Sequence, residues 1–220
     1  LIARAEGKIV ETISAKKYAH AFVIELPFRG ALSLSGQIES EKLPFFAELN
    51  KRFKIDFTPN DPYWTVQWGP SKIKAEYAWN QTLGSSDILI ATIDTGIDYN
   101  HLDLAHNYAP LGYDWVNNDD DPMDDNGHGT HCAGILAAAT NNNEGIAGLS
   151  QAKIMTEKAF DRDGFGWADD IVNAIIHAVD QGAKIISNSW GSSDDSVLLH
   201  QAIMYAHGKG AVSYTHLRAH

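Results

Sequence analysis

A single cysteine, Cys132, is all that 220 residues provide, so no internal disulfide can staple the chain. Cysteine poverty is neutral about compartment, because secreted bacterial enzymes and cytosolic proteins both do without bridges. No apolar run approaches the roughly 18 residues of a membrane span. Positive charge is scarce: the formal net charge is -11, and residues 57–220 carry 21 acids against 8 bases. Residues 1–56 differ, with 7 acids and 9 bases. A surface this acidic argues against nucleic acid or anionic membrane as partner, since both need positive patches. Initiator Met and a basic-then-apolar leader are also missing, so Leu1 reads as a cut within a longer precursor.

What is present suffices for a core: 44% of residues are hydrophobic. Residues 1–56 hold an alternating run at 21–26, a turn at Pro27 and Gly30, and a helical stretch near 41–52. Thr58, Pro59, Asn60, Asp61 and Pro62 form a joint. Beyond it the pattern changes. Residues 87–93 are an apolar run suited to a buried parallel strand. Residues 128–139 are a helix of small side chains, and 152–160 a second strand. Residues 167–181 are an amphipathic helix with Ile171, Ala174, Ile175 and Ala178 on one face and Gly182 as its stop. Residues 184–188 are a third strand, 195–207 a helix, and Ala211-Val212 opens a fourth strand. Alternating strands and helices with short loops predict an α/β fold with a parallel sheet.

Two phrases carry chemistry. Ile93-Asp94-Thr95-Gly96 puts an acid at a strand end, and the phrase Asn126-Gly127-His128-Gly129-Thr130-His131 follows, with His128 34 residues after Asp94. An acid that orients an imidazole, and an imidazole that deprotonates a hydroxyl, are two members of a nucleophilic triad. Other readings stay open at this point. Asp-Thr-Gly is also an aspartic-protease loop, although that chemistry needs two such loops and there is one. Asp94, His128 and His131 could instead hold zinc in a hydrolase. A calcium-bound relative without activity, or a propeptide-like inhibitor, is the non-enzymatic alternative.

The two phrases, with His101-Leu102-Asp103-Leu104 between them and Cys132-Ala133-Gly134 after them, resemble the subtilisin-like serine proteases over about residues 58–212. The resemblance implies a subtilisin-like parallel sheet with helices on both faces and peptide-bond hydrolysis by an Asp-His-Ser triad. Asp94 is then the triad acid and His128 the base, while His131 is not catalytic and Cys132 lies beneath the imidazole. Ser189-Trp190-Gly191 and Gly164-Phe165-Gly166 are the two rims that pair with substrate backbone. Secretion, protein or peptide substrates and a monomeric state also follow from it. Residues 1–56 take the place of a small α+β propeptide that inhibits the enzyme from within the same chain, with cleavage near Phe57.

Between residues 94 and 125 there are nine Asp and neither Lys nor Arg. Hard cations commonly relieve such clustering. An EF-hand does not fit: Pro122 and Ala133 occupy its first and last ligand positions, and Phe165 breaks the run at Asp161-Arg162-Asp163. The resemblance implies two structural calcium sites instead. One uses Asp61, Asp103 and Asn142 with carbonyls of Ala139, Glu144 and Ile146. The other uses Asp114, Asn117 and Asp119.

After Val212 the resemblance is expected to stop. Residues 213–220 read as a foreign, adapter-derived tail, and the oxyanion Asn would fall near Ala219. Ser213 lacks a Gly-Thr-Ser context and is not the nucleophile. The chain as written is therefore expected to be catalytically incomplete, with an exposed sheet edge at Val212 that limits solubility.

Overall fold

The computed structural model describes residues 8–15, 19–27 and 57–215. Its contacts divide the chain into two units, Leu1–Ile55 and Asp56–His220. In the first, β1 (Lys8–Ala15) and β2 (Ala19–Glu25) form an antiparallel pair. Its register shifts between Ile9 and Glu11 and ends with Ala15 opposite Ala19. The alternating run at 21–26 thus lies largely in a strand, whereas the helix expected near 41–52 falls outside the described residues.

The second unit contains a parallel sheet. Its strands are β3 (Leu89–Asp94), β4 (Lys153–Lys158), β5 (Ile185–Asn188) and β6 (Val212–Thr215), in the order β4-β3-β5-β6. Each face takes its own helices, because side chains alternate across a strand. On one face Ala91, Ile93, Met155 and Ile186 meet α4 (Ala168–Asp180) and α5 (Val197–Gly208) through Ile171, Ala174, Ile175, Ala202 and Ala206. On the other, Ile90 and Ile154 meet α3 (His128–Ala137) through Ala133 and Ala137, with Ile97 and Leu104. Helices on both faces agree with the fold expected from the sequence.

A third cluster anchors the start of this unit. Trp79, at the end of α2 (Ala75–Trp79), packs with Phe57, Trp64 and Ala147, and its indole donates to Leu149 O at 3.0 Å. The short α1 (Trp68–Lys72) precedes it. Neither helix is legible in the sequence: each is five residues long, and tertiary burial of Pro70, Ala75 and Trp79 outweighs weak local preference.

Strand β6 differs from the expected limit at Val212. It continues through Thr215, in parallel register with β5 from Ile185↔Val212 to Asn188↔Thr215. The reason is local: Val, Tyr and Thr favour extended backbone, Val212 and Tyr214 face outward at an edge, and Ser213 Oγ accepts from Asn188 Nδ2 at 2.9 Å. Residues 216–220 lie outside the description.

One buried acid arises in this sheet with no warning from the sequence. Glu157 in β4 accepts from Trp115 Nε1 (2.8 Å) and shares a hydrogen bond with His177 Nδ1 (2.7 Å), tying the loop after β3 to α4. Burial pushes its carboxyl up to about 7, against the opposing pull of those hydrogen bonds. The folded chain then keeps a proton that the unfolded chain releases near 4.5. This contribution is fully present below pH 4.5 and is lost as pH rises through 7, worth about 3 kcal/mol at most. Thermal melts from pH 5 to 8 should fall more steeply for the parent than for Glu157→Gln. Parallel curves would remove the assignment.

Candidate active site

Asp94 ends β3 and is buried, while His128 opens α3 and its side chain is 52% exposed. His128 Nδ1 lies 2.7 Å from Asp94 Oδ1. A carboxylate can only accept, so Nδ1 carries the proton and Nε2 is left as the basic nitrogen. The same carboxylate oxygen accepts Thr95 N–H at 2.7 Å, which fixes the acid's rotamer.

Small residues make the approach possible. A Cβ on Gly129 would collide with the carbonyl of Gly96, so the start of α3 rests directly on the backbone that follows Asp94. Thr95 Oγ1 accepts Gly129 N–H at 2.9 Å and donates to Asp124 Oδ1 at 2.8 Å. Asp124 also receives Asn126 N, Gly127 N, Thr130 N and Thr130 Oγ1. Burial alone would raise its carboxyl, but these donors hold it down at about 2. Asp124 is thus a permanent anion at the helix start, where unpaired N–H groups favour one. In the sequence it is one of nine similar acids; its place just ahead of a helix start was the available signal.

Cys132, one turn along α3, sits with Sγ 3.9 Å from both ring nitrogens of His128, the position expected beneath the imidazole. Burial pushes its thiol up, a hydrogen bond with Ser189 pulls down, and Asp94 pushes up again. It stays a neutral thiol. Among the described residues, Asp94, His128 and Cys132 are the one group of three His, Cys, Asp or Glu side chains whose ligand atoms lie close enough to share an ion. His131 is not in it. It lines a cavity of about 680 Å³ with Asp98, His101 and Asp103, so the zinc set with His131 is not assembled.

The segments 164–166 and 189–191, expected from the sequence to be substrate rims, each make contacts near the pair. Asp161 and Phe165 close a turn by Asp161 N–Phe165 O (2.8 Å) and Phe165 N–Asp161 Oδ1 (3.0 Å). Gly164 takes φ +81° there, Gly166 has no room for a Cβ against Ala159 O, and Phe165 is exposed. Asn126 Nδ2 donates to Arg162 O at 2.8 Å, linking this rim to the base. On the other side Ser189 reaches Cys132, and Gly191 faces open space. The Trp190 side chain turns inward, donating to Ile93 O at 3.0 Å and lying on Phe160 with centroids 5.6 Å apart.

Of the two oxygen-rich sets, the first gathers residues distant in sequence. Asp61 Oδ2 accepts Asn141 N–H at 2.8 Å, while its Oδ1 is buried with no hydrogen-bond partner. Asp103 accepts Asn142 Nδ2 (2.9 Å) and Ile146 N (2.8 Å), and its carbonyl accepts Ala139 N at 2.8 Å. Asn142 Oδ1 accepts Glu144 N at 2.9 Å. In the second set both oxygens of Asp114 are taken by Asn117, through N (2.8 Å) and Nδ2 (2.9 Å). Asp114 and Asp119 exchange two main-chain bonds. No orphaned oxygen is found there among the described residues.

The second unit is thus a parallel α/β domain with a buried acid at a strand end, bonded to an imidazole at a helix start. The chain belongs to the Subtilase family (peptidase S8), whose family model matches residues 85–215. The match runs to Thr215, as strand β6 does. A thermophilic serine proteinase from Bacillus sp. strain AK1 is 47% identical over 177 residues, covering 80% of this chain and 44% of that protein. Thermitase from Thermoactinomyces vulgaris is 48% identical over 158 residues, covering 71% and 56%. A solved protease from Pseudoalteromonas arctica superposes with a TM-score of 0.66 at 30% identity, covering 72% of this chain and 58% of that one. The chain spans about half the length of these curated relatives.

Proposed function

We propose that residues 57–215 are the acid-and-base portion of a secreted, calcium-stabilised subtilisin-like serine endopeptidase. The observation that carries this is the 2.7 Å bond between buried Asp94 and half-exposed His128. Asp94 holds the imidazole in the Nδ1–H tautomer and stabilises its protonated form. His128 Nε2 takes the proton of a serine hydroxyl supplied by a longer form of the protein, then returns it to the leaving amine. The rims at 164–166 and 189–191 hold the peptide as an added strand, by main-chain hydrogen bonds. No described helix is long and apolar enough to cross a membrane. Secretion, a monomeric state, protein substrates and inhibition by residues 1–56 belong to the same proposal and rest on the family resemblance.

Calcium fits the first oxygen set. An unpaired buried carboxylate oxygen at Asp61 costs stability unless something compensates it, and a hard cation does so. Asp61, Asp103 and Asn142 would hold the ion with carbonyls of Ala139, Glu144 and Ile146. When bound, it supplies charge compensation and cross-linking, with no part in bond cleavage. The second set, Asp114, Asn117 and Asp119, is proposed with it on the resemblance alone.

A fluorophosphonate probe tests the chemistry, since it modifies only an activated serine. The 220-residue chain has no Gly-Thr-Ser phrase, and removing a triad serine costs about a millionfold in such enzymes. It should stay unlabelled while the serine-containing longer protein is labelled. Labelling of the 220-residue chain, or none of the longer one, would contradict the proposal.

A further inference from the structure

We propose that Lys158 is a positioning residue for the Asp94–His128 pair: a sealed cation that holds the strand end bearing the acid to the loop leading to the base. The inference rests on the acid–base reading of that pair. Lys158 is the last residue of β4, the register partner of Asp94, and only 1% exposed. Its ammonium has three donors, and its three acceptors come from three segments. Thr95 O, next to the acid, lies at 2.7 Å. Asp125 Oδ1, three residues before the base, forms an ion pair with it. Phe160 O, where the 161–166 rim begins, lies at 3.4 Å.

The tether reaches the base through few covalent and hydrogen bonds. Asp125 is followed by Asn126, whose Oδ1 accepts His128 N–H at 3.1 Å and whose Nδ2 holds Arg162 O at 2.8 Å. On the acid side, Asp94 O receives Ala159 N (3.0 Å) and Phe160 N (3.2 Å), the residues directly after Lys158. No Lys or Arg occurs from residue 94 to 125, and the cation paired with Asp125 comes from β4.

Burying an ammonium is costly, and an apolar side chain of similar volume often gives equal or greater stability. The contribution of Lys158 is therefore geometric. Methionine would fill the space but leave Asp125 untethered, and the loop ahead of His128 free to shift. Asp125 is 51% exposed, so its own replacement puts little folding energy at risk.

The test is proton NMR of the 220-residue chain, following the His128 Nδ1 proton. A proton shared with a buried carboxylate at 2.7 Å is strongly deshielded and slow to exchange. In Lys158→Met it should exchange about tenfold faster or broaden away, with circular dichroism unchanged. Lys158→Arg, which keeps charge and donors, should retain it, and Asp125→Asn should move it the same way as Lys158→Met. A resonance unaltered in both Lys158→Met and Asp125→Asn overturns the proposal. So does a loss shared by both Lys158 variants but absent from Asp125→Asn, which would report packing alone. If Lys158→Met does not fold, Asp125→Asn decides. Absence of the resonance from the parent chain would overturn the acid–base reading itself, and this inference with it.

Discussion

Replacing Asp94 with asparagine in the serine-containing longer protein should lower kcat by roughly four orders of magnitude, the scale of loss known for triad acids, including the family's namesake. KM should barely change. The mechanism of the loss is tautomeric. Asp94 Oδ1 accepts from both Thr95 N and His128 Nδ1, and an amide cannot match two charge-assisted bonds. An amide N–H turned toward the ring would favour the opposite tautomer, with the proton on Nε2, and would remove the lone pair that must receive the serine proton. Steady-state kinetics on a chromogenic peptide measures this directly. A loss smaller than about tenfold would take Asp94 out of the triad.

Chelation should lower the melting temperature of the unit starting near residue 56 by roughly 5–10 °C. A ligand present at about a hundred times its Kd stabilises by about 2.7 kcal/mol, and each kcal/mol moves a domain of this size by about 2–4 °C. Asp61 has the buried oxygen without a partner. Asp61→Asn should therefore melt lower than the parent in calcium and respond little to the chelator. Identical melts of the parent with and without chelator would exclude a structural ion. A chelator effect that survives Asp61→Asn would move the ion to the second set.

The Asp94–His128 pair was legible because each member belongs to a local pattern: an apolar run ending in Asp94, and a small-residue helix opening at His128. Strands β3, β4 and β5 and helices α3 to α5 follow the same periodicities. Buried charges were not legible. Glu157 and Lys158 occupy adjacent positions of β4, and both read as ordinary polar interruptions of a strand. Their partners lie 20 to 63 residues away, at His177, Asp125, Trp115 and Thr95. Only folding brings those groups together, so no window of sequence contains the pairing. Trp190 shows the reverse: the phrase Ser189-Trp190-Gly191 stands out in the sequence, but the inward turn of its indole depends on Phe160 and Ile93. Asp124 was hidden by its resemblance to its neighbours rather than by distance.

The contact of Gly129 with the Gly96 carbonyl sets a boundary for anyone diversifying this scaffold. One added methyl there would act as a wedge, prising apart two groups whose cooperation depends on a separation fixed to fractions of an ångström. This touching point has no latitude for an added atom, and mutagenic libraries should leave it untouched.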